Sequence, residues 1–251
     1  MRERSYAGLV RRLAALGSAN LRIETAGVVA GYPIFRVGLG NNQHAQKQVL
    51  ICAGVHGDEP AGPEAALQFL ERDNTGLLRH FTFTVFPCIN PHGYAHNSRE
   101  NREGLDVNRS FGEVGIAEVD LVKQSLKELR FDFAIDFHED WEAKGFYLYE
   151  DQRDERWRAP EVIRRIKEIG SIDKESGEND LPIAEGAFRI DPDWGYAGLI
   201  SYVYGFHTDH AILTETPTRW ALTQRSAAHL AALDTLLEFY TNKVCRNGRT
   251  E

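Results

Sequence analysis

Apolar positions recur along the chain in two rhythms, one helical and one with a period of two. Near the start, Leu9, Leu13 and Leu16 fall at helical spacing. The stretch LRIETAGVVAGYPIFRVGLG then alternates apolar and polar residues around glycine turns, which predicts antiparallel strands. KQVLICAGVHG is almost continuously apolar, as expected of a strand covered on both faces. Pro60 or Pro63 can open a helix through Ala66, Phe69 and Leu70. RHFTFTVFPCIN predicts a further strand, ended by Pro91 and Gly93. Val119, Val122, Leu126 and Leu129 predict a helix over 116–130.

In FDFAIDFHE the period of two puts Phe133, Ile135 and Phe137 on one face and Ala134, Asp136 and His138 on the other. EVIRRIKEIG reads as a helix, HAILTETP as a short buried strand stopped at Pro217, and Leu230, Leu233, Leu237, Tyr240 and Val244 mark a long final helix. Strands alternating with amphipathic helices predict an α/β fold: a mixed, mostly parallel sheet with helices on both faces. No repeat or composition shift marks a linker, so residues 1–251 read as a single domain with an N-terminal helix and hairpin within 1–40. The charged, turn-rich segment 151–193 suits either a lid over a site or a solvated excursion.

Composition narrows the function classes. With 29 basic and 37 acidic side chains the net charge is −8, which argues against a nucleic-acid partner. Cys52, Cys88 and Cys245 are widely spaced, with no CxxC pair, so neither a disulfide framework nor a cysteine metal site is expected. MRERSYAGLVRRLAALGSANL lacks an apolar run of signal-peptide length, and no stretch approaches a membrane span. A cytoplasmic protein with no membrane partner is the expectation.

Three polar clusters fall at predicted strand ends: GVHGDE, DFHED and LTET. In open α/β sheets such ends are where ligands bind. His56, Glu59 and His138 there offer two imidazoles and a carboxylate, a set suited to one divalent zinc with a position left for water. Gly57 supplies freedom for a sharp turn after His56, Pro60 pre-sets the backbone for the next helix, and Asp58 points to solvent.

Further along, NPHG at Asn90–Gly93, RENREGLDVNR at Arg99–Arg109, DFH ending at His138 and LTE ending at Glu215 follow in order. With HGDE at His56–Glu59, this series resembles the M14 family of zinc carboxypeptidases. The resemblance implies one zinc per chain, held by His56, Glu59 and His138, with Glu215 as general base on the water that zinc activates. It implies that Arg99 stabilises the oxyanion, that Asn108 and Arg109 bind the substrate's terminal carboxylate, and that Asp106 orients His56. Tyr196 is its candidate for a mobile tyrosine, and Ile200 and Tyr202 for a side-chain pocket.

The chain lacks the long insertion of the digestive enzymes between Arg99 and the Asn108–Arg109 pair, and looks more like bacterial short forms and the succinylglutamate desuccinylase and aspartoacylase branch. Three functions stay open: a carboxypeptidase acting on short peptides, an N-acyl amino acid amidohydrolase, and a non-catalytic binding module. Other histidines and acids carry weaker signals. His92 and His96 have an i, i+4 spacing that shares a metal on a helix, but Pro91 and Gly93 argue against a helix there. Strand geometry turns Glu139 away from His138, leaving Asp140 and Glu142 as possible supplements to the ligand set, and His207 and His210 read as core or surface residues.

Overall fold

The computed structural model describes residues 5–17, 19–40, 47–154, 156–174, 180–191, 193 and 195–247, with side chains described as far as Thr241. Cys245 lies outside the described side chains. The leucines of the first rhythm form α1 (Tyr6–Ala14), whose Ser5 caps the helix by accepting from Gly8 N–H at 3.0 Å. The alternating stretch folds into β1 (Leu21–Val29) and β2 (Tyr32–Leu39), an antiparallel hairpin turned through Ala30 and Gly31 at positive φ.

The near-continuous apolar run is β3 (Lys47–Ala53), followed by α2 (Ala61–Glu71), with Pro60 at the N-cap. β4 (Phe81–Phe86) and α3 (Pro91–His96) come next. Then come α4 (Ala117–Leu126), β5 (Phe133–Asp140), β6 (Tyr147–Gln152) and α5 (Ala159–Ile166). The chain closes with β7 (Leu181–Ala184), β8 (Ala187–Arg189), α6 (Leu199–Phe206), β9 (His210–Pro217) and α7 (Leu222–Asn247).

These strands form one nine-stranded sheet in the order β1-β2-β4-β3-β5-β9-β6-β8-β7. The sheet is not mostly parallel, as the alternation of strands and helices had suggested. Its inner strands β4, β3, β5 and β9 are mutually parallel, whereas β2 joins β4, and β6 joins β9, in antiparallel register. With the β1–β2 and β7–β8 hairpins at the edges, parallel and antiparallel pairings are equal in number. Hairpin edges need no crossover helix, so the periodicity of helices reports only the inner strands.

Helices do cover both faces. Val49, Ile51, Phe133, Ile135 and Phe137 point into a core shared with α1, α2, α5 and α7. Leu50, Cys52, Ala134 and Leu213 point into a second core with α4 and α6. Cys52 and Cys88 are both buried. On the α7 side, Thr214 and Thr216 hold His229, whose ring stacks on Phe137; burial pushes its pKa down to about 3, so it stays neutral.

The described part of segment 151–193 carries regular elements as well as turns. It contains α5 and the edge hairpin β7–β8, anchored by the fully buried Glu150 of β6. That carboxylate accepts the first free N–H groups of α5, from Arg158 at 2.9 Å and Ala159 at 2.8 Å, and pairs with His210 Nε2 at 2.8 Å. His210 is thus a core residue, and His207, whose Nδ1–H donates to Leu129 O, is buried against Tyr202.

Candidate metal centre

The carboxyl ends of β3, β5 and β9 meet at one side of the sheet. After β3 the backbone turns at Gly54, whose φ of +62° favours glycine. Gly57 has no such torsion. Its reason is space, because a Cβ there would lie 2.0 Å from Gly93 C of α3. The NPHG turn that crowds it is built by buried Asn90, which caps α3 by accepting from Gly93 N–H at 2.8 Å and donates through Nδ2 to Arg99 O at 3.2 Å. Gly57 N–H also donates to Arg99 O, at 3.4 Å. One turn therefore fixes the segments bearing His56 and Arg99 against each other. Asn101 then accepts from Glu103 and Leu105 N–H, both at 3.0 Å, and shapes the loop that delivers Asp106.

His56, Glu59 and His138 are all buried, and one ligand atom from each lies within 4.8 Å of the others. His56 Nδ1 is 2.7 Å from Glu59 Oε1, and His138 Nδ1 is 3.1 Å from Glu59 Oε2. The outward nitrogens are each held by a further carboxylate. His56 Nε2 is 3.1 Å from Asp106 Oδ1, and His138 Nε2 is 3.0 Å from Asp136 Oδ2. A carboxylate behind each imidazole fixes the tautomer that leaves Nδ1 as the free lone pair, the arrangement metal-ligating histidines adopt. The donor set therefore fits a divalent cation.

Electrostatics agree with that fit. Burial alone would lower the pKa of each imidazole, but the facing carboxylates outweigh it and push both up, His138 well above its ordinary value. Glu59, although buried, is held well below the usual carboxylate range by the two rings. A cation entering here displaces protons from the rings, so its affinity must rise with pH.

Asp106, whose Oδ1 lies against His56, also accepts through Oδ2 from Arg99 Nε at 3.1 Å. Arg99 Nη1 reaches Glu59 Oε1 at 3.4 Å, which puts the guanidinium at the rim of the cluster, partly exposed. Asn108 Oδ1 accepts from Leu199 N–H at 2.9 Å and ties the loop to the start of α6. Arg109 is exposed, and no described carboxylate pairs with its guanidinium. Tyr196 is exposed just before α6, its ring packed 4.9 Å from that of Phe206 rather than on any residue of the cluster. Ile200 is buried in the second core, and Tyr202 packs on Phe111 and Phe206.

Glu215 of β9 sits directly across from His138 of β5 in parallel register. Its Oε2 is sealed from solvent and has no hydrogen-bond partner among the described residues. Burial, reinforced by Glu59, Asp140 and Asp136 against the opposing pull of His138, raises its pKa well above the ordinary carboxylate value. On the other side of Glu215 stands Tyr147 of β6, whose hydroxyl donates to Asp140 Oδ2 at 2.8 Å. Burial together with Glu215 and Asp140 pushes the phenol's pKa far up, so it stays neutral.

Several residues fall elsewhere than the sequence suggested, or were passed over. Glu139 does turn away from His138, accepting from Ala61 N–H and pairing with Arg225 of α7. His92 and His96 do lie on a helix, contrary to expectation, because Pro91 occupies its first turn, where no N–H is needed. Their rings stack 4.2 Å apart, and His96 Nδ1–H donates to His92 O at 2.8 Å. Asp136 is the functional residue missed. Its signal was the period of two, which set it on the face of His138. We expect Asp136→Asn to weaken divalent metal binding about 10- to 100-fold with the fold retained, as read by chelator competition.

The model of the succinylglutamate desuccinylase/aspartoacylase catalytic domain matches residues 45–171, just over half of the chain. The chain belongs to this family. The family is hydrolytic, and the chain is accordingly a metallohydrolase. The matched span includes His56, Glu59, Arg99, Asp106, Asn108, Arg109 and His138, while Glu215 lies beyond it and takes its position from strand register.

Solved structures extend the likeness of this family member over nearly the whole fold. A protein named provisionally as a metallopeptidase, from Shewanella amazonensis, is 23% identical, with a TM-score of 0.80 over 94% of this chain and 92% of that one. A metallo-carboxypeptidase from Burkholderia cenocepacia is 18% identical, with a TM-score of 0.72 over 95% and 69%. One from Pseudomonas aeruginosa, in complex with (2-guanidinoethylmercapto)succinic acid, is 21% identical, with a TM-score of 0.66 over 92% and 67%. At these identities the likeness is one of fold. No curated protein sequence matches the chain.

Proposed function

We propose that the chain is a zinc-dependent carboxypeptidase that hydrolyses the C-terminal amide bond of short peptides. The observation that supports this best is the meeting of His56 Nδ1, His138 Nδ1 and the Glu59 carboxylate beside an unpartnered Glu215 Oε2. Two imidazoles and one carboxylate are a zinc donor set that leaves a position open. Bound by His56, Glu59 and His138, one zinc per chain supplies a Lewis acid and makes water acidic enough for a carboxylate to deprotonate.

The chain's own groups do the rest. Glu215 takes a proton from the attacking water and hands it to the nitrogen of the departing amine. Burial and its acidic neighbours make it a stronger base than an ordinary carboxylate, as proton abstraction requires. Arg99 stabilises negative charge on the carbonyl oxygen. Arg109 offers paired donors to the terminal carboxylate; Asn108, whose Oδ1 is committed to Leu199, offers its amide N–H. Tyr196 would have to leave Phe206 to reach a substrate.

A second reading, an N-acyl amino acid amidohydrolase, is favoured by the family match itself. It requires the same water, base and oxyanion groups. The buried free thiol of Cys52 accords with a reducing, cytoplasmic setting. No helix among the described residues is long and apolar enough to cross a membrane.

The two readings separate on zinc-loaded protein given blocked dipeptides and N-acyl amino acids in parallel. The first expects dipeptide cleavage that stops with a chelator and returns with zinc. Preference for the acylated free amino acid selects the second, and bound metal with neither activity overturns both.

A further inference from the structure

The sheet register lines up more than the catalytic pair. His138 of β5 lies opposite Glu215 of β9, and Glu215 lies opposite Tyr147 of β6. Residues directly opposite one another share a face, with Cβ atoms about 5 Å apart. A row across three strands therefore carries a metal-binding imidazole, a carboxylate and a phenol on one face, the carboxylate in the middle. The next row down, Asp136, Leu213 and Tyr149, points the same way into the second core, which confirms the facing.

Tyr147 is held in this position from two sides. Its ring meets Tyr149 edge-on at 5.8 Å and Phe188 at 6.4 Å. Its hydroxyl proton is committed to Asp140 Oδ2, and Asp140 is itself pinned by Glu142 N–H, which donates to Oδ1 at 2.7 Å. A phenol oxygen has one proton to give and lone pairs to accept with. With the proton engaged, the oxygen is left as an acceptor. The side chain is half-buried, while Leu148 and Glu150 beside it are fully buried. This acceptor stands next to the base, on its far side from the metal ligands, in a residue that is only half-buried.

We propose that Tyr147 is a substrate-contacting tyrosine of this site, its Oη accepting a hydrogen bond from the N–H of the amide that is cleaved. The contact selects amides over esters and holds the nitrogen within reach of Glu215. Tyr196, the tyrosine expected from sequence, lies against Phe206 and must move to take part, whereas Tyr147 is already positioned by Tyr149, Phe188 and Asp140. The inference rests on Glu215 serving an amide hydrolase.

The test compares a blocked dipeptide with its ester isostere, in which oxygen replaces the scissile N–H. In zinc-loaded enzyme, Tyr147→Phe should lower kcat/KM about ten-fold on the amide and less than about two-fold on the ester. Equal loss on both, or loss on neither, overturns the proposal. A calorimetric arm reads binding without turnover: in a Glu215→Gln background, Tyr147→Phe should weaken dipeptide binding about ten-fold with the fold retained. Unchanged binding overturns the proposal there as well. If the wild type cleaves neither substrate while this arm gives the expected loss, the hydrolase reading has failed and the tyrosine contact has not.

Discussion

Glu215→Gln is expected to bind metal and substrate like the wild type yet hydrolyse about 10²- to 10⁴-fold more slowly. The amide keeps the shape of the carboxylate but has no basic oxygen, so it can neither accept a proton from water nor return one to the amine. Glu215 is not among the three residues whose donor atoms converge, and that is why metal content should be unchanged. Its Oε2 is sealed and unpartnered, so no hydrogen bond within the described protein is broken by the exchange. Metal analysis beside steady-state kinetics checks both halves of the expectation. Loss of metal together with activity would make Glu215 a ligand rather than a base, and full activity would remove it from the mechanism.

The second large effect lies beneath the site. Glu139 follows His138 in β5 but faces the other way, where its fully buried carboxylate meets Arg225 of α7 and accepts from Ala61 N–H at the start of α2. Its own backbone N–H donates to Glu59 Oε2 at 3.1 Å. One residue thus joins the metal-binding carboxylate, the helix that follows it and the long C-terminal helix. Arg225→Met strands a buried charge, which costs about 3–5 kcal/mol. In a chain of this size that lowers the melting temperature by roughly 6–20 °C. Adding Glu139→Gln removes the stranded charge while keeping an oxygen for Ala61, and should recover more than half of the loss. Thermal unfolding of the two variants checks this. A small effect from Arg225→Met alone would mean that water or another group satisfies Glu139.

The parts of the fold that were legible in the sequence are those where burial is two-sided or periodic. β3, β5 and β9 announce themselves as apolar runs, and the two faces of β5 divide as the period of two requires. β6 was hidden by its polarity. YLYEDQ has a charged residue at its centre because Glu150 serves the open N-terminus of α5, a partner that no local pattern reveals. α3 was hidden by Pro91 and Gly93, which break helices in general but here occupy the first turn and a close approach to the Asn90 side chain and the Ser98 and Glu100 carbonyls.

The candidate site was legible to a greater extent because its groups sit at strand ends in a fixed order. His56, Glu59, His138 and Asp106 come together as anticipated. Asp136 and Tyr147 did not stand out, since both depend on which face a strand presents to its neighbours. Gly57 was read as a flexible turn, but its real constraint is Gly93, which is distant in sequence.

The account depends above all on one cation site, and anomalous diffraction at the zinc edge from crystals of zinc-loaded protein tests it most directly. The expected result is a single full-occupancy peak per chain bonded to His56 Nδ1, His138 Nδ1 and the Glu59 carboxylate, with Glu215 nearby but not bonded. A peak elsewhere, or none at this cluster with stoichiometric zinc present, would contradict it.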